Sequence, residues 1–525
     1  MRGKREAGSW KLEAGSWRQV ADTMSPMRLA WFSPVPPVRS GIATCSAELV
    51  SALRAGHDID IFVDEPIVSA ERQGTIGARS AHEFIWRHRR QPYDLSVYQL
   101  GNSSHHDYLW PYLFRFPGLA VLHDAHLHHA RAASLLRTKR ADDYRAEFAA
   151  NHPDASPDLA ELAVAGLDSH LYYYWPMTRL VALASRLTAT QAPALTAELG
   201  EAVPTARVET LHLAHGRLVS DEEARQARVR LSEVHGLPPD ATIVGVYGGL
   251  TPDKRLPQIL EAFRWVRAYT PSAHLLLVGA SPSHYDVAAD VRARDLAAHV
   301  TLTGYVESDD ELTEAIAACD VSVNLRWPTA REMSGPWLRA LAAGKATITA
   351  DLAHLVHVPS LDPRTWKLAA RTSPLAPRTP PLRDANTEKQ EAEREKRDAR
   401  SDRRDARRET RDASSEMREA RGEEREAVTV AIDVLDEDHS LRLALRRLLA
   451  DGDLRAKLGG AARSYWAREH SMTRMVADYE RVLALAVKVP IPRPTLPAHL
   501  VNSGEGLLRT LRTEMRIAAE PDALW

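Results

Sequence analysis

Four short stretches of this 525-residue chain carry side chains suited to anions and hydroxyl groups. "AREMSGPWLRALAAGKATI", residues 330–348, sets Glu332, Ser334 and Gly335 ahead of an apolar-periodic run that stops at Gly344 before the strand-like "KATITA". A carboxylate before a helix whose first amides are free can accept hydrogen bonds from hydroxyls such as those of a sugar, or can simply complement the helix dipole. "VYGGLTPDKRLPQILEAF" ends a strand in Gly248 and Gly249 and begins a helix with Lys254 and Arg255. A glycine turn, a helix N-terminus and two cations suit a diphosphate, and ordinary surface charges would look the same. "PPVRSGIATCSAELVSAL" opens a helix at Ser40 and Gly41, either as a plain cap or as a backbone site that glycine lets a phosphate approach. "VLHDAHLHHA" puts His123 and Asp124 directly after a strand, with His126, His128 and His129 close behind. Such a run admits a metal site, a histidine bonding into a cleft, or a surface loop; no HxxE or CxxC spacing favours the metal.

These stretches must be positioned by the elements around them. From Met27, β-rich runs ("RLAWFSP", "DIDIFVD", "LSVYQLG", "LAVLHD") alternate with helical periods ("GIATCSAELVSALRAG", "SAHEFIWRHRR"), as in parallel βαβ units covered on both faces. Residues 131–200 read as mostly helical, with Tyr172, Tyr173, Tyr174 and Trp175 stopped by Pro176. A second series begins near residue 242 with the strands "TIVGVYGGL", "HLLLVGAS", "VTLTGYV", "DVSVNLR" and "ATITAD", separated by helices near 255–269, 285–297, 309–318 and 335–343. After a charged stretch, "VTVAIDVLD" resumes a strand, with helices at 440–458 and 473–487. The fold class is therefore α/β, with two Rossmann-like domains facing across a cleft. In such sheets ligands sit beyond the carboxyl ends of the strands, where all four stretches lie.

The expected division is a disordered extension at 1–26 containing "EAGSW" twice, an N-terminal domain at 27–215, a C-terminal domain at 216–480 and a tail at 481–525 with one amphipathic helix. An insertion at about 374–427 interrupts the second domain. Its residues 388–426 hold thirteen Lys/Arg and fourteen Asp/Glu and lack the apolar surface to offset chain entropy, so they read as a solvated helix or a disordered segment. A formal net charge of −2 gives no global reason to expect nucleic acid as a partner. Two cysteines, Cys45 and Cys319, make a disulfide framework improbable and a cytoplasmic location the expectation. No apolar run of about 18 residues is present to span a bilayer.

Taken together, the four stretches resemble the retaining glycosyltransferases of family four, also called glycosyl transferases group 1. "PPVRSGIA" looks like that family's N-terminal glycine loop, "LHD" like its cleft histidine, "GGLTPDKRL" like its phosphate loop and "EMSGPWLRALAAGKATIT" like its donor loop. The resemblance covers roughly residues 27–130 and 205–480 without the insertion. It implies the GT-B fold, a nucleotide-diphospho-sugar held mainly by the C-terminal half, and a glycan, lipid-linked or small-molecule acceptor on the N-terminal half. No cofactor and no metal are implied, since the nucleotide-sugar is a substrate and protein cations face its phosphates. A peripheral contact with the inner face of the membrane is a further expectation.

By the same resemblance, Lys254 neutralises the leaving phosphates with backbone amides of Gly41, His123 contacts the sugar, and Glu332 holds its hydroxyls. Ser334 and Gly335 offer backbone N–H groups. Two departures stand out. Gly249 occupies the place of the family's phosphate-binding arginine, with Arg255 as a candidate replacement. Arg339 stands where a second glutamate would accept hydrogen bonds from the donor ribose, which a guanidinium cannot do. A nucleotide-sugar-binding protein of the same fold with weak or no turnover is the alternative reading.

Overall fold

The computed structural model describes residues 25–64, 77–167, 170–238, 240–369 and 426–501. The duplicated N-terminal segment, nearly all of the charged insertion and the amphipathic stretch after residue 501 lie outside the described residues.

The first sheet contains β1 (Arg28–Phe32), β2 (Asp58–Val63), β3 (Ala78–Ser80), β4 (Leu95–Leu100), β5 (Leu119–Leu122), β6 (Leu187–Thr190) and β7 (Val208–Thr210). Their spatial order is β3-β2-β1-β4-β5-β6-β7, and every pairing is parallel. The second sheet contains β8 (Thr242–Tyr247), β9 (Ala273–Val278), β10 (Val300–Gly304), β11 (Val321–Asn324), β12 (Ala346–Ala350), β13 (Ser360–Leu361) and β14 (Thr429–Ile432). These run in the order β10-β9-β8-β11-β12-β14-β13, again all parallel. Central strands such as "LSVYQL" and "AHLLLV" are buried at every position because helices cover both faces, so they show a continuous apolar run rather than alternation. In each sheet the strand order reverses beside the first strand, between β1 and β4 and between β8 and β11. At such a switch point neighbouring connections leave toward opposite faces and open a crevice at the carboxyl edge.

The short strands β3, β6, β7 and β13 are absent from the sequence reading. β6 falls within the stretch expected to be helical, because "LTAT" is too short for a period to declare itself. The helix expected at 440–458 divides into Glu437–Ala450 and Gly452–Glu469, the second capped by Asp451, whose side chain accepts from the Leu454 N–H. The larger difference is where the chain finishes. Helix Met472–Ala486, expected at the end of the C-terminal domain, crosses back to the first: Met475, Tyr479, Val482 and Leu483 share a core with Trp31, Leu49 and Leu53. Buried His57 and Glu480 pair at 2.9 Å across that seam, and Arg186 Nε donates to the Val489 carbonyl at 2.7 Å. Amphipathic periodicity declares a buried face but not the sheet that receives it.

Candidate functional site

The loop after β8 reverses through Gly248 at φ +89°, in the left-handed region where glycine is relaxed. It packs so closely on Gly279 that a Cβ there would lie 2.0 Å from the Gly248 carbonyl oxygen. A single 3-10 turn, Pro252–Lys254, then leads into helix Leu256–Val266. This turn brings the half-buried Lys254 ammonium back beneath the end of β8, where it donates to the Tyr247 carbonyl. Burial, and then the neighbouring Arg326 guanidinium, lower Lys254 from the ordinary lysine range to about 7.

β11 ends at the same height and delivers Arg326 and the loop containing Glu332. Arg326 Nε lies 2.6 Å from Glu332 Oε1, and its Nη1 lies 3.3 Å from Asp253. Thr329 Oγ1 donates to Glu332 Oε2 at 2.9 Å and accepts the Arg331 N–H at 2.8 Å, so the loop holds its carboxylate in one orientation. The Trp327 N–H donates to the Asp253 carbonyl at 2.7 Å, tying this loop to the turn that carries Lys254. Lys254, Arg326, Thr329, Glu332 and Ser334 line one cavity with His354. Ser334 caps helix Gly335–Ala342, its side chain accepting from the Trp337 N–H.

The N-terminal domain closes the other side. The Ala125 N–H, just past β5, donates to the Ala330 carbonyl at 2.9 Å, and Arg331 pairs with Glu198. Arg39 reaches Glu307 at 2.8 Å and stacks over the Tyr305 ring. Asp124 meets the Asn102 N–H at 2.6 Å; burial and the charge of Glu332 raise its pKa, so the two carboxylates sense one another across the cleft. Ser40 caps helix Gly41–Leu53, leaving the Gly41 and Ile42 amides without intrahelical partners.

Three expected site residues take other positions. Arg255 does not replace a lost cleft cation: it occupies φ +62°, and its guanidinium is held by Glu437, with Nε 2.7 Å from Oε1. Arg339 is buried and bonds Asp309 at 3.0 Å, while its Cα backs onto Gly216, whose absent Cβ would approach it to 2.9 Å. That makes Arg339 part of the seam where the chain passes between domains. His123 is engaged at both ring nitrogens, Nε2 with Gln99 Oε1 at 2.7 Å and Nδ1 with Gln191 Nε2 at 2.6 Å. Its Nε2 must carry the proton, since a carbonyl oxygen only accepts. Burial lowers its pKa to about 3, so it is a neutral donor-acceptor and its hydrogen bonds go to two glutamines rather than to an open site. Gly249 keeps its expected place on the exposed turn, with open space where a side chain would project.

The histidines of the "HDAHLHH" loop scatter: His128 bonds Tyr144 at 2.8 Å, His126 is buried, and His129 is exposed. Among the described residues no group of three or more His, Cys, Asp or Glu is placed to hold a metal ion. None of the described helices is long and apolar enough to cross a membrane. Sequence reasoning did not single out Arg326, although it stands two residues past β11 at the switch point.

Comparison with known proteins bears on the fold and on one stretch of the sequence. Residues 241–362 match the family model for glycosyl transferases group 1, the stretch that carries Lys254 and Glu332. A structure of HepE from Anabaena in complex with UDP and glucose superposes with a TM-score of 0.53 at 12% identity, over 87% of this chain and 99% of that one. Sucrose-phosphate synthase from Thermosynechococcus elongatus superposes with a TM-score of 0.53 at 14% identity, over 87% and 98%. At such identities the likeness is one of fold. No curated protein sequence matches the chain.

Proposed function

We propose that this chain, whose residues 241–362 match the model for glycosyl transferases group 1 and whose two domains are Rossmann-like, transfers a hexose from a nucleotide-diphospho-sugar to a hydroxyl acceptor with retention. The observation that carries the reading is the convergence of Lys254, Arg326 and Glu332 on the carboxyl ends of β8 and β11. Breaking the glycosidic bond builds negative charge on the leaving diphosphate and positive charge on the sugar. A fixed ammonium beneath the first and a carboxylate beside the second are worth most where water is excluded. Glu332 accepts the sugar's hydroxyl hydrogens and fixes its orientation. Tyr173, on the short helix Leu171–Tyr174, is near enough to Asp253, Glu332 and Arg326 to feel their charges, so the helical segment within 131–200 borders the donor loop, which supports reading it as the acceptor side. The acceptor is a glycan, a lipid-linked or a small-molecule hydroxyl.

The test is a panel of UDP-, GDP- and ADP-sugars scored for thermal stabilisation, donor hydrolysis and transfer, with the product anomer read by NMR. A ligand at a hundred times its dissociation constant adds about 2.7 kcal/mol of stability. Stabilisation without turnover would favour a binding protein of the same fold, the reading that Gly249 and Arg339 support. An inverted product would overturn retention.

Two further results are expected. Lys254 must be protonated to meet a diphosphate, and its pKa is lowered to about 7. The ratio kcat/KM, which reports the free enzyme, therefore falls as pH rises through about 7, whereas kcat stays flat to higher pH because bound phosphates hold the proton on. Gly249→Arg returns a guanidinium to a turn with room for it. Donor KM is expected to fall about tenfold, the size of one added charge-assisted hydrogen bond.

A further inference from the structure

We infer that His215, in the linker between the domains, is a donor to the nucleotide-sugar's diphosphate, completing a site whose other groups are the N-terminal amides of the helices at Gly41 and Gly335. The inference rests on the proposed function and adds a residue to it. No motif in the sequence points to His215; its position does.

The ring lies between two helix N-termini from opposite domains. Its Nε2 is 4.0 Å from where a Cβ of Gly41 would stand, and its Cδ2 is 3.2 Å from the corresponding point on Gly335. Helix Gly41–Leu53 has 13 residues and helix Gly335–Ala342 has 8, and each N-cap serine is spent on a later amide, Ala43 for Ser40 and Trp337 for Ser334. The Gly41, Ile42 and Gly335 N–H groups thus have no intrahelical partner, and Pro336 has no N–H to offer. Both helix dipoles turn their positive ends toward the ring.

His215 itself is 6% exposed, and its Nδ1 has no hydrogen-bond partner. Its backbone is fixed: the Trp466 indole N–H donates to the His215 carbonyl at 2.8 Å, and the next residue, Gly216, turns at φ +86° against Arg339. Nε2 is the ring nitrogen nearest both helix starts and so the one placed to donate, while the unpartnered Nδ1 is the other nitrogen of the ring. Burial and the Arg339 charge keep the imidazole neutral, its pKa lowered to about 3. A neutral imidazole still carries one N–H, and an anion carrying two negative charges accepts from that N–H and from the amides together. The linker position adds a consequence: the group that meets the diphosphate sits where the two domains join.

The full-length protein and its His215→Ala and His215→Asn variants are titrated calorimetrically with UDP-glucose and with uridine. Should another member of the panel bind instead, that nucleotide-sugar and its nucleoside replace them. His215→Ala is expected to weaken the nucleotide-sugar about tenfold, the loss of one charge-assisted hydrogen bond, and to leave the nucleoside unchanged. The asparagine, which keeps a donor, stays within about threefold of wild type on the same scale. Unchanged nucleotide-sugar affinity in the alanine variant overturns the inference. Equal loss of nucleoside and nucleotide-sugar overturns it too, as a merely structural effect. If Lys254→Ala weakens nucleotide-sugar binding and His215→Ala does not, this inference fails and the proposed function stands; if wild type binds no nucleotide-sugar, both fail.

Discussion

Lys254→Ala is expected to lower kcat for sugar transfer by about a thousandfold, the cost of removing one preorganised charge from a developing anion. The ammonium sits under the end of β8 with Arg326 beside it, close enough for that charge to lower its pKa. Solvent has limited access to this cavity, so bulk ions are poor substitutes. Turnover within tenfold of wild type would sink the assignment. A second measurement separates this role from a structural one. The unfolded chain keeps the Lys254 proton up to about 10.4, while the folded protein releases it at about 7. Between those values the unfolded state binds more protons, so this group's contribution to stability rises with pH; below about 7 the full cost of burying the charge is present. Lys254→Met should therefore melt higher than wild type at pH 6 while transferring no sugar. A lower melting temperature would show that the lysine supports the fold.

Glu332→Gln is expected to reduce kcat/KM by roughly thirtyfold, the loss of charge-assisted hydrogen bonds to sugar hydroxyls. Binding of the sugar-free nucleoside diphosphate should stay near wild type. This split follows from the placement of the carboxylate on the β11 loop, held by Thr329 and Arg326 rather than by any group of the β9 or β10 loops. Arg326 retains Asp253 at 3.3 Å in the variant, so its guanidinium is not stranded. Equal weakening of nucleotide and nucleotide-sugar would place Glu332 at the phosphates instead of at the sugar.

The sequence puts Arg339 where an acceptor for the donor ribose is expected, and the structure gives its guanidinium another partner. The guanidinium is turned to Asp309 and packed behind Gly216. Helix Gly335–Ala342 spends this position on the seam between domains. Arg255 has a similar lesson. At φ +62° it takes a backbone state that glycine adopts freely, and Glu437 beneath its guanidinium is a partner that holds the arginine there.

What the sequence determined by itself is the frame. Ten of the fourteen strands could be read as apolar runs because a parallel sheet buried on both faces needs unbroken hydrophobic segments, and the glycine turns and helix starts between them marked the carboxyl edges where ligands bind. Lys254 and Glu332 were legible for the same reason, as local features at strand ends. Tertiary structure decided the partners. That Glu437 takes Arg255, that Gln99 and Gln191 enclose His123, that Met472–Ala486 returns to the first sheet, and that His215 lies between two helix ends from opposite domains are all contacts between residues far apart in the chain. Periodicity and propensity act over a few residues and fix which face of an element is buried. Which distant charge or hydrogen-bonding group meets that face depends on how the two sheets pack together.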